Sequence, residues 1–182
     1  MGYSQVGQDE FVIETLNHKN GGVYIEIGAY HSKDISNTYM LEKEYGWTGL
    51  SFEIDPLRSE EFNANRTNRC YTVDATTFDY ETLFDTLKLP KQIDYLQVDI
   101  EPAANTLKAL LALPLEKYRF SVITFEHDLY DDPNNIYIKN KQIEVLSGLG
   151  YELAADNVFD IDERFPGKTY PFEDWWIDPS VV

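Results

Sequence analysis

Two short apolar runs constrain this chain most. Val23-Tyr24-Ile25-Glu26-Ile27-Gly28-Ala29 and Leu50-Ser51-Phe52-Glu53-Ile54-Asp55 each read as a buried strand, one ending at a glycine turn and the other at an acid. A helix-sized interval separates them. A buried strand, a tight turn, a helix and a second strand ending in a carboxylate form a βαβ unit, whose turn can receive an adenosine-type ligand and whose acid can accept ribose hydroxyls.

The unit repeats along the chain. Gln8–Leu16 reads as a short helix stopped by Asn20-Gly21-Gly22, and Ser36-Asn37 can cap a helix running to Tyr45, with Gly46 beyond its end. Asp55-Pro56 breaks the second strand, and Glu60–Asn65 reads as a polar helix. Cys70–Val73 is a third strand, Tyr80–Leu87 a helix, and Ile93–Ile100 a fourth strand. Pro102 suits the first turn of a helix over Ala103–Leu113. Val122–Phe125 is a fifth strand, Asn140–Leu149 a helix, and Tyr151–Ala155 with Trp175–Ile177 an antiparallel closing hairpin. The expectation is α/β: one Rossmann-like domain over residues 1–182, mostly parallel, with helices on both faces.

Composition narrows the partners. A net charge of −17 without a Lys/Arg run argues against a nucleic-acid binder, which needs a basic surface. The longest apolar run, Leu107–Leu115, is interrupted by Lys108 and Pro114 and is too short to span a bilayer. The first residues lack a secretion signal, and the single cysteine, Cys70, reads as a small buried hydrophobe in a reducing compartment. These features predict a soluble cytoplasmic protein without a membrane or nucleic-acid partner.

Ligands of such sheets bind beyond the carboxyl ends of the strands. Those ends carry Gly28, Glu53, Asp74, Asp99, Glu101, Glu126 and His127. Tyr30 and Lys33 stand where a dinucleotide fingerprint needs glycines, so close access for a pyrophosphate is lost. S-adenosylmethionine has no pyrophosphate and tolerates a looser turn. Glu53, followed by Ile54, is positioned for a ribose diol. Glu26 lies in an apolar strand and needs a partner, such as a cofactor ammonium or backbone amides. Asp74 and Ala75 can frame an adenine. Around Asp99, Glu101 and His127, two readings stay open: deprotonation of a hydroxyl, with His127 as base, or a divalent cation held by the carboxylates. No spacing forms a specific metal signature.

Taken in order, several blocks resemble the FkbM-type methyltransferases, S-adenosylmethionine-dependent enzymes with the class I methyltransferase fold. They are Tyr3-Ser4-Gln5-Val6-Gly7-Gln8-Asp9, similar to the family's "SQxGQD" signature, then Gly22–Ala29, Ser36-Asn37-Thr38, Gly46–Glu53, Asp94–Glu101 and Phe172-Glu173-Asp174-Trp175-Trp176. The resemblance implies that Glu26, Gly28 and Ala29 border the methionine end of the cofactor, Glu53 the ribose and Asp74 the adenine. It implies Asp99, Glu101 and His127 beside the transferred methyl, with Gln5, Gln8 and Asn37 facing the same cleft. Pro102 departs from the glycine common at that point in the family. The implied acceptor is a hydroxyl on a sugar or glycosylated small molecule. A carboxylate-rich metal-dependent hydrolase and a non-catalytic cofactor-binding module are the alternatives. The segments 129–137 and 157–171, rich in Tyr, Phe and Pro, are expected to choose the substrate.

Overall fold

A computed structural model describes residues 2–160 and 170–182, with the side chain of Asp160 left aside. Seven strands form one sheet in the order β3-β2-β1-β4-β5-β7-β6. Strands β1 (Val23–Ile27), β2 (Thr48–Glu53), β3 (Arg69–Thr72), β4 (Gln92–Val98) and β5 (Arg119–Glu126) run parallel. β6 (Glu152–Asp160) and β7 (Tyr170–Ile177) are antiparallel to one another. β7 also pairs antiparallel with β5, so the last strand is inserted between β5 and β6. The predicted α/β sheet with its antiparallel close is present, with longer closing strands than the sequence pattern marked. Residues 161–169 between them lie outside the described residues, as does much of the segment expected to choose the substrate; its start, 157–160, belongs to β6.

The helices are α1 (Gln8–Thr15), α2 (Tyr39–Tyr45), α3 (Pro56–Asn65), α4 (Tyr80–Leu87), α5 (Ala103–Ala112) and α6 (Ile136–Gly148). Gly46 ends α2 at φ 66°, in the left-handed region expected of a helix-terminating glycine. Ser36 Oγ accepts from the Thr38 and Tyr39 amides, so Ser36 satisfies the start of α2 as its sequence suggested. α3 begins a turn earlier than its polar pattern marked, because Asp55 caps it through the Leu57 amide and Pro56 occupies its first turn. Pro102, by contrast, stays extended at ψ 163° and precedes α5 rather than opening it, after a cis Glu101–Pro102 bond.

The strand pattern divides the interior into two layers. Ile25, Ile27, Phe52, Leu96, Val98, Phe120 and Ile123 join the core beneath α4, α5 and α6. Tyr24, Tyr95 and Val122 pack on the opposite face with Val12, Ile13, Met40, Leu41 and Trp47 from the α1–α2 side. With about 25 cal/mol for each Å² of apolar surface buried, these two layers supply the main driving force of the fold. No described helix is long and apolar enough to cross a membrane.

Candidate functional site

At the carboxyl ends of β1, β2, β4 and β5 lies a cavity of about 480 Å³. Its walls include Glu26, Gly28, Ala29, Asn37, Glu53, Ile54, Asp99 and Glu101, all anticipated as site residues, together with Gln5 and Gln8. Gln97 and Glu126 complete it from β4 and β5. A larger, more open groove of about 620 Å³ lies at the opposite edge of the sheet, lined by residues such as Leu110, Leu113 and Leu149. It carries none of the strand-end chemistry.

Gly28 is fixed by its neighbour strand. Its φ is +89°, and a Cβ there would stand 1.7 Å from the Asp99 carbonyl oxygen. Any side chain would therefore drive β1 away from β4, besides filling the cavity. Across the turn, Glu53 Oε2 accepts from the Tyr30 amide at 3.0 Å and Oε1 from the Asp55 amide at 2.9 Å. Two backbone amides thus hold the carboxylate flat, and each oxygen keeps a lone pair for a further donor.

Glu26 is buried and does not depend on a ligand for its partners. Thr38 Oγ1 donates to one oxygen at 2.8 Å and Ser51 Oγ to the other at 2.6 Å. Burial raises its pKa, while the Arg66 guanidinium and these two hydroxyls oppose the rise. Arg66 organises this side of the cavity. Its guanidinium donates to Glu42 at 2.7 Å, to the Ser32 and Thr38 carbonyls, and to the Tyr24 hydroxyl. Its sequence context, a polar helix end, gave no sign of that role. Asn37 is buried nearby, and its Oδ1 has no hydrogen-bond partner.

The N-terminal wall explains the residues of the Ser4–Asp9 block. Asp9 is fully buried and accepts from the Tyr3 amide at 2.7 Å and from Ser4 Oγ at 2.5 Å. Gly7 turns the chain at φ 93° into α1. Gln8 Oε1 accepts from the Val6 amide at 3.0 Å, and its side chain stands close enough to Glu173 on β7 to lower that carboxyl's proton affinity.

The wall beyond Gln8 is acidic. Asp99 and Glu126 line the same wall, close enough for each carboxyl to perturb the other. Burial raises both pKa values, and Asp99, Asp128 and Glu173 add repulsion that carries Glu126 well above the usual carboxylate range. Glu173 faces Glu126 in register and accepts from the Trp175 indole; burial pushes its carboxyl up to about 8. Asp128, buried behind the wall, is pushed up to about 7 by burial and by the charges of Glu101 and Asp99, and its Oδ1 has no partner. Gln97 stands one pleat before Asp99, so both point to the α1 face; its buried Oε1 is also unpartnered.

Three anticipated residues are not brought to the cavity. Asp74 closes a turn of its own, accepting from the Thr76 amide at 2.9 Å and its hydroxyl at 2.7 Å. Ala75 packs into the core. His127 is fully buried, with its backbone amide donating to the Phe172 carbonyl at 2.6 Å. Its Nδ1 accepts from the Leu129 amide, and its Nε2 lies 3.4 Å from Asp174 Oδ1, an ion-pair distance rather than a formed hydrogen bond. Asp174 is itself held by Lys139 and Gln142. β5 continues one residue beyond its apolar run, so Glu126 takes the cavity-facing position and alternation turns His127 away. Glu126 was visible as a strand-end acid, but its role depends on pairing with Asp99. Glu173 and Gln97 lie in blocks that carry the family resemblance, but nothing in those blocks singles either out as a site residue. Among the described residues, no group of three or more His, Cys, Asp and Glu side chains is arranged to hold a metal ion.

No protein-family model matches the chain, and no curated protein does. Solved structures do. An O-methyltransferase from Bacillus cereus, in complex with SAH, superposes with a TM-score of 0.61 at 14% identity, covering 93% of this chain and 80% of that one. A putative O-methyltransferase from Klebsiella pneumoniae gives 0.61 at 13% identity, covering 94% and 80%. A putative rRNA-methylase from Clostridium thermocellum gives 0.58 at 13% identity, covering 97% and 98%. At such identities the likeness establishes a shared architecture. With its 3-2-1-4-5-7-6 sheet and its cavity at the carboxyl ends, this chain has the class I methyltransferase fold.

Proposed function

We propose that the protein is an S-adenosylmethionine-dependent O-methyltransferase acting on a hydroxyl of a sugar or glycosylated small molecule. The observation that carries this reading is the division of the cavity. One half offers Glu53, steadied by two amides, and the unpartnered Asn37 Oδ1; the other offers the Asp99 and Glu126 carboxyls on one wall. S-adenosylmethionine supplies a sulfonium-bound methyl electrophile. Glu53 would accept from the ribose hydroxyls, Gly28 and Ala29 would leave room along the strand end, and Asn37 Oδ1 would accept from the methionine ammonium. Ile54, exposed at the rim, would cover the adenine in place of the displaced Asp74 and Ala75.

The chain's chief contribution is alignment of the acceptor oxygen with the methyl, which can supply ~7–11 kcal/mol of the barrier. With the cofactor bound, the acceptor oxygen would take the methyl and leave S-adenosylhomocysteine, and Asp99 or Glu126, whichever is ionised, would receive the hydroxyl proton. Such general-base assistance is worth roughly 10²–10⁴-fold. Glu101 lines the same wall and carries the resemblance-based expectation with Asp99.

Calorimetric titration with S-adenosylmethionine, S-adenosylhomocysteine and NAD tests the reading. Both sulfur compounds should bind and NAD should not. Glu53→Ala should weaken the two by ~10–100-fold, the scale of a hydrogen bond to a charged group. Preference for NAD, or no binding of either sulfur compound, would sink it.

A further inference from the structure

Three buried acids elsewhere in this fold have a cation, while Asp9 and Glu26 are held by amide and hydroxyl donors instead. Glu42 is paired with Arg66 at 2.7 Å, Asp174 with Lys139 at 2.6 Å and Asp178 with Arg119 at 2.9 Å. The wall made by Asp99, Glu101 and Glu126 has none: among the described residues, no Lys, Arg or His lines the cavity. Asp128 and Glu173 stand close enough to raise the proton affinity of Glu126, so the group is a concentration of like charge without a counterion. Leaving such charge uncompensated is costly in a half-buried place.

A second observation concerns hydrogen bonding. Gln97, 2% exposed on the same face of β4 as Asp99, presents a buried Oε1 with no donor. Carboxylates and an amide oxygen are all acceptors, so the wall calls for a ligand rich in donors. A neutral hydroxyl brings one donor together with acceptor lone pairs; an ammonium brings three donors, no acceptor and the missing charge.

We propose that the acceptor carries a protonated amine, as an amino sugar or amino alcohol does, and that Glu126, Asp99 and Gln97 seat it beside the methylated hydroxyl. The proposal rests on the methyl-transfer reading for its co-reactant and adds the substrate's charge class. Seating the ammonium displaces the proton held by Glu126, so both carboxyls become ionised as the acceptor arrives. Sugar acids and phosphosugars are repelled by the same wall.

The test uses protein saturated with S-adenosylhomocysteine, so that the cofactor's own ammonium is already in place. Binding of that compound is measured first, and its absence would count against the methyl-transfer reading itself. Three size-matched panels are then titrated: amino sugars and amino alcohols, neutral sugars, and sugar acids. Members of the amine panel should bind ~10–100-fold more tightly than their neutral counterparts. Their heats, compared across buffers of different ionisation enthalpy, should report a released proton at neutral pH, and the acids should not bind. Glu126→Gln should bring the amine and neutral affinities within a few-fold of each other. The inference is overturned by neutral sugars or acids binding as well as amines, by no amine binding to the saturated protein, or by Glu126→Gln preserving the preference.

Discussion

The two halves of the cavity solve the same electrostatic difficulty in opposite ways. On the β1–β2–β3 side, Glu26 is capped by Thr38 and Ser51, Glu53 by two amides, and Arg66 spreads a guanidinium among Glu42, Tyr24 and two carbonyls. Nearby Glu42 and Glu61 are accordingly held below the usual carboxylate range by their donors despite the opposing effect of burial. On the β4–β5–β7 side, Asp99, Glu126, Asp128 and Glu173 have raised proton affinities and share few donors. A satisfied half is suited to hold one constant ligand. An unsatisfied half is a place where binding can change protonation.

Breaking the satisfied half should have the largest effect. Arg66→Met removes the countercharge of a fully buried network and should destabilise the protein by ~3–5 kcal/mol, read as a lower denaturant midpoint. A loss below about 1 kcal/mol would mean that Arg66 is not the organising cation.

The next test acts on the unsatisfied half. Asp99→Asn should lower turnover by roughly 10²–10⁴-fold at saturating S-adenosylmethionine. His127→Asn, buried away from the cavity, should instead cost ~1–3 kcal/mol of stability and leave turnover within a few-fold. The reverse ranking would return the base to His127 and erase the contrast between the halves.

The smallest change sharpens the comparison through pH. Glu173 has a folded pKa near 8, above its unfolded value, so the folded state holds its proton longer. Its contribution is fully present below about pH 4 and is lost as pH rises through 8. Glu42 runs the other way: its folded pKa is depressed, so its contribution is present at neutral pH and is lost as pH falls through the acid range. Glu173→Gln should flatten the decline in melting temperature between pH 5 and pH 8, by a few degrees. An unchanged slope would show that Glu173 does not carry the surplus proton.

The legibility of the sequence follows the same division. Gly28 and Glu53 could be read because one local βαβ unit places both, and the period-2 pattern of each strand is unambiguous. α4 could be read because its apolar face, Tyr80 and Phe84, recurs at helical spacing between clear caps. Asp74 is harder to read, because an acid after a strand can serve a ligand or its own Asx turn, and here it accepts from Thr76 in such a turn. The orientation of His127 is not legible locally, because the extent of β5 is fixed by β7, whose Phe172 carbonyl accepts from both His127 and Asp128 amides. Glu173 and Gln97 acquire meaning only from partners on other strands. Long-range register, which no local pattern encodes, hid that half of the site.

The insertion of β7 between β5 and β6 makes the acidic wall a joint between early and late segments. Gln8 from the first helix and Glu126 from the fifth strand both meet Glu173 on the seventh. An excursion that peels β7 from the sheet would take Glu173 away from both Gln8 and Glu126. Arg66, Glu53 and the β1–β2–β3 ladder would keep their contacts, because none of them is made by β7. Local opening at β7 would therefore disturb the acidic wall while the β1–β2–β3 side stays closed.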